Sequence, residues 1–235
     1  MVATQEEAVS TVEDLMTALQ HPSVKVIIIR GQLVDSPSIR LSPGQSVRGE
    51  DELASITFED GAEGVQLSSD NALCTLQLHT TPDKRVIFND TSVDSLGQIE
   101  LRDVTTTGRV QILARDQVRS GHVAVQGLDI LAADARGERD RPHGYGVYVL
   151  QGAFTLWNMQ PEDEVVITAD IVGVSAGRAA APVLGSGVFV SGAGDSGVAL
   201  SCSAWRPMRS IATERSPLVR QIRSLVASSR STALM

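Results

Sequence analysis

Three aspartates sit in similar surroundings along this chain: Arg102-Asp103-Val104, Leu128-Asp129-Ile130 and Ala169-Asp170-Ile171. Carboxylates drawn into one column have two chemistries open to them. Their hard oxygens suit Ca²⁺. Two of them about 5–9.5 Å apart can divide into the acid and the base of glycoside cleavage. A plainer role is favoured for such a column: solvated carboxylates that stop one sheet face sticking to another.

A second group is aromatic. Tyr145, Tyr148, Phe154 and Trp157 are half of the eight aromatic residues and fall within one short stretch. Aromatic faces stack on sugar rings, and Arg141 and His143 stand beside them, next to a charged loop at 133–142. Tyr145, Tyr148, Trp157, Arg141 and His143 therefore form the expected ligand-binding patch, with carbohydrate as the ligand. The same residues could instead fill the interior as an aromatic stack.

The remaining reactive side chains are scattered. His21, His79, His122 and His143 lack ligand spacing, and Cys74 and Cys202 stand far apart in the chain. Neither a metal site nor a disulfide framework follows. Asn71, Asn89 and Asn158 close strand-like runs, where asparagine serves turns and ladders. P-loop, GxSxG and Cys–His arrangements are absent, and Gly192-Ala193-Gly194 is a lone glycine turn. No cofactor is expected, Ca²⁺ on the aspartates being the one candidate ion.

The elements that must position these groups come from a repeat. The 235 residues are 42% hydrophobic but 3% aromatic, with 20 glycines. Val, Ile and Leu dominate, as pleated strands prefer. Residues 4–20 read as one amphipathic helix with Thr4 and Glu7 as its capping box. Short strands follow at 24–30, 38–41, 55–58, 64–67, 75–78, 85–88, 98–104, 109–113 and 122–131. Val65, Val86 and Val110 open one series, and Leu76, Ile99 and Val123 open another at similar steps. Two interleaved series sharing a period in the low twenties predict a solenoid with several strands per coil. Gly144-Tyr145-Gly146-Val147-Tyr148-Val149 recurs as Gly185-Ser186-Gly187-Val188-Phe189-Val190, which would stack Tyr148 on Phe189. Insertions at 133–142 and 175–182 account for the longer step.

Residues 12–50 carry a resemblance. A short helix precedes a strand ending in Arg30-Gly31, and Ile39, Leu41, Gly44-Gln45-Ser46-Val47 and Gly49 follow in a turn pattern. The segment resembles the entry to pectate-lyase-like β-helix proteins, and the likeness in fold spans roughly 10–204. More narrowly, the chain looks like a group of bacterial β-helix proteins with GxGVxV repeats. The resemblance implies an all-β, single-stranded right-handed parallel β-helix with an N-terminal capping helix. It does not imply their catalysis. Pectate lyases of this kind show W-x-D-H and R-x-P-x-x-R, and the polygalacturonase kind shows N-T-D, paired Asp, G-H-G and R-I-K. Here only Gly121-His122 occurs, followed by Val123.

Three parts are expected: 1–22 as the capping helix, 23–204 as coils, and 205–235 as an irregular or helical tail. The tail holds six Arg, one Glu and no Gly, so it carries +5 in a chain whose net charge is −8. The acidic remainder excludes nucleic acid as a partner. The tail reads as a capping helix or, back-translated in a shifted frame, as a β-helix-like string cut short near residue 204. The apolar run at 24–29 is too short to span a membrane. The first residues have no basic and apolar leader, so a cytoplasmic location is expected, or a secreted one if the N-terminus is processed. Carbohydrate binding leads, with a polysaccharide lyase or glycoside hydrolase, or a structural protein, as alternatives. Oligomeric state is left open.

Overall fold

Alternation of apolar and polar residues in short runs leaves one side of each run needing cover, and stacking like runs supplies it. The computed structural model describes residues 5–133, 154–158, 166–172, 174, 188–191 and 199–204. They form a parallel β-solenoid of about five turns.

The elements run β1 (Gln5–Val9), α1 (Val12–Gln20), β2 (Val24–Ile29), β3 (Gln32–Ser36), β4 (Ile39–Arg40), β5 (Ser46–Gly49), β6 (Ser55–Phe58), β7 (Val65–Leu67), β8 (Ala72–His79) and β9 (Arg85–Asn89). After these come β10 (Ser95–Thr107), β11 (Arg109–Ala114), β12 (Ser120–Ala132), β13 (Phe154–Asn158), β14 (Val166–Val172), β15 (Val188–Ser191) and β16 (Ala199–Ala204). One ladder stacks β1, β2, β5, β8, β10, β12, β14 and β16, with β3 and β6 joined at its side. The other stacks β4, β7, β9, β11, β13 and β15. Every pairing among the described residues is parallel.

The first ladder turns a corner. The early coils break there, between β2 and β3 at Gly31 and between β5 and β6 at 50–54. The later strands run through it, so β8 pairs with β5 by its first half and with β6 by its second. The residues at the bend in β8, β10 and β12 are Thr75, Asp103 and Gly127, all at positive φ. Each coil thus presents three faces. Inward rows of Ile27, Val47, Leu73, Leu101 and Val125, and of Ile39, Val65, Ile87, Val110 and Phe154, fill the interior. Each such side chain contributes roughly 1.5–3 kcal/mol by leaving water.

The N-terminus departs from expectation. Residues 5–9 are a strand on β2, not the first turns of a helix. Val9 is buried there and its carbonyl accepts from Arg30 N. The helix begins only after this strand, where Thr11 Oγ1 accepts from Asp14 N at 3.1 Å. Glu13 and Asp14 then favour the N-terminal dipole. Leu15, Ala18 and Leu19 are buried against the first coil.

The repeat also needs correcting. Val65 pairs with Ile87, not Val86, because β9 bulges between Arg85 and Ile87. Leu76 lies opposite Val104, not Ile99, while Ile99 does face Val123. The step from Val110 to Phe154 is much longer than those before it, which leaves room for the expected insertion after β12. Phe189 is in register with Thr155, so that row holds Thr155 where the repeat predicts Tyr148. Tyr148, the first GxGV copy, both insertions beyond Ala133 and the tail from 205 lie outside the described residues.

Candidate functional site

The aspartates do not form a column. Arg102 faces Gln126 and Val104 faces Leu128, which puts Asp103 beside Gly127 at the corner. Asp129 faces Thr105 beyond the corner, and Asp170 faces Ala124 before it. The three hold three different register positions, because similar neighbours in sequence recur at different points of the coil. One pairing has no signal in the sequence: His122 Nε2 lies 3.5 Å from Asp170 Oδ2. That pair is largely open to solvent, where such contacts contribute little. Among the described residues no cluster of three or more metal-ligating side chains occurs. Cys74 is a buried free thiol 3.6 Å from Arg102 Nη2. Burial pushes it up against the lowering pull of Arg102, so it is mostly a thiol at neutral pH.

Of the expected aromatic patch, Trp157 lies on β13 in register with Leu113 and Ser191. Arg141, His143, Tyr145 and Tyr148 lie outside the described residues. Asn71 and Asn89 are structural, as expected. Asn71 Oδ1 accepts from Ser68 N, and its Nδ2 donates to Ser42 O and Gln45 O. Asn89 Nδ2 donates to Leu113 O, and its Oδ1 accepts from Leu113 N.

A polar surface lies on the β4–β7–β9–β11–β13–β15 face. A shallow recess there is lined by Gln66, Arg85, Phe88, Asn89, Asp90, Thr91, Gln111, Leu113 and Arg115. Its spine is a row in which Gln66 faces Phe88 and Phe88 faces Gln111, at the strand separation of about 4.8 Å. Arg40 precedes this row and Thr155 follows it.

The charges around the spine are matched. Arg85 grips Glu63 through both ends, Nε to Oε1 at 2.6 Å and Nη2 to Oε2 at 2.5 Å. Its guanidinium also lies over the Phe88 ring, 4.3 Å from the centroid, a favourable cation–π geometry. Arg40 Nη2 donates to Asp90 Oδ2 at 2.5 Å. Asp90 Oδ1 accepts from Ser92 N and Oγ. Burial raises the Asp90 carboxyl, but the Ser92 hydrogen bonds and Arg40 outweigh it and hold it below the usual carboxylate range. Arg115 pairs with Asp116 at 3.1 Å, and Thr91 Oγ1 donates to the same carboxylate at 2.7 Å. The side-chain amides of Gln66 and Gln111 make no hydrogen bond of their own among the described residues.

The sequence holds a signal for this row. Gln66 and Gln111 directly follow Val65 and Val110, and Phe88 follows Ile87, their true partner. Taking Val86 as the partner hides Phe88 from the row. Comparisons with family models, with curated proteins and with solved structures found no match.

Proposed function

We propose that this chain is a β-solenoid scaffold that binds carbohydrate along the Gln66–Phe88–Gln111 row. The observation that carries the reading is two unengaged planar amides flanking an aromatic ring at coil spacing. An amide offers two donors and an acceptor, matching hydroxyls that both donate and accept. Phe88, 9% exposed beneath the Arg85 guanidinium, spaces the two amides along the row. Trp157, in backbone register with Leu113 on β13, belongs to the same proposal on sequence grounds, as do Tyr145, Tyr148, Arg141 and His143. A right-handed, pectate-lyase-like origin is likewise proposed from residues 12–50; the cap helix and the parallel coils support it.

A glycan array followed by calorimetry tests the reading. The wild-type chain is expected to bind at least one hydroxyl-rich polysaccharide. Gln66→Ala and Gln111→Ala should each weaken it by about two- to tenfold, the worth of a hydrogen bond. Trp157→Ala should weaken it too, and Thr57→Ala, on a different face, should not. A folded wild type that binds nothing across the array overturns the reading.

A further inference from the structure

We draw no further inference here: the strongest candidate, the Cys74 thiol that the strand register sets between Arg48 and Arg102 on the outer face of the first ladder, is a lone cysteine beside which nothing else in the structure points to a ligand.

Discussion

At the scale of single residues, the interior holds a group at odds with its surroundings. Thr106 lies between Leu78 and Ile130 in an inward row, with no exposure, and its hydroxyl has no hydrogen-bond partner. A hydroxyl buried unpaired costs roughly 1–3 kcal/mol. Thr106→Val keeps the β-branched shape and removes the unpaired group, so it should raise the urea midpoint by about 1 kcal/mol of stability. An unchanged or lower midpoint would show that the hydroxyl is satisfied. Asp90 makes an acid-side prediction. Its carboxyl sits below the usual range when folded, so its contribution is fully present above the ordinary carboxylate value. It is lost as pH falls through the lower folded value. The stability gap between wild type and Asp90→Asn should hold from pH 7 to about 5 and close toward pH 2. A gap that persists in acid refutes the ionised carboxylate, held by Ser92 and Arg40, as its source. Neither feature is legible in the sequence. Thr106 reads as one of three consecutive threonines, and nothing local says that the middle one points inward.

At the scale of elements, the corner in the first ladder is the feature that sequence patterns conceal. Strand alternation predicts straight runs, yet β8, β10 and β12 each bend at one left-handed residue, and those residues stack. Gly127 has φ +69, and a Cβ there would lie 2.6 Å from Asp103 Oδ1. Gly127→Ala should therefore cost about 1–2 kcal/mol for the backbone alone, and more for displacing Asp103. Adding Asp103→Gly should recover the steric part and leave the backbone part, read as a partial return of the denaturation midpoint. Full additivity of the two substitutions would mean they do not meet. The corner also explains the misplaced aspartates. Arg-Asp-Val and Leu-Asp-Ile look alike as strings, but the first straddles the bend and the second follows it. The helix start is misplaced by the sequence pattern for a related reason. Thr4 with Glu7 and Thr11 with Asp14 are both capping signatures. The choice between them is made by the ladder that residues 5–9 gain on β2, a strand that lies beyond the helix in the chain.

At the scale of the whole molecule, the parallel stacked architecture is readable from the strand spacing because each coil must bury the same kinds of side chain over the last. The same logic makes stability a matter of neighbours: each coil leans on the two beside it, and the terminal coil needs a cover. α1 is that cover at the N-terminal end. It buries Leu15, Ala18 and Leu19, and Gln45 Nε2 from the second coil donates to Leu19 O and Val24 O. Leu15→Asp with Leu19→Asp should lift the helix and open the apolar end of the stack. Because coupling runs between neighbours, the damage should be graded along the axis. Amide exchange should quicken in α1, β1 and β2, while β10 and β12 keep their protection. The opened end should also bind a hydrophobic dye and shift sedimentation toward larger species than the wild type forms at equal concentration. Uniform loss of protection along the chain would instead show the solenoid to be a single cooperative unit. A variant that exchanges and sediments as the wild type does would remove α1 from the role of cap.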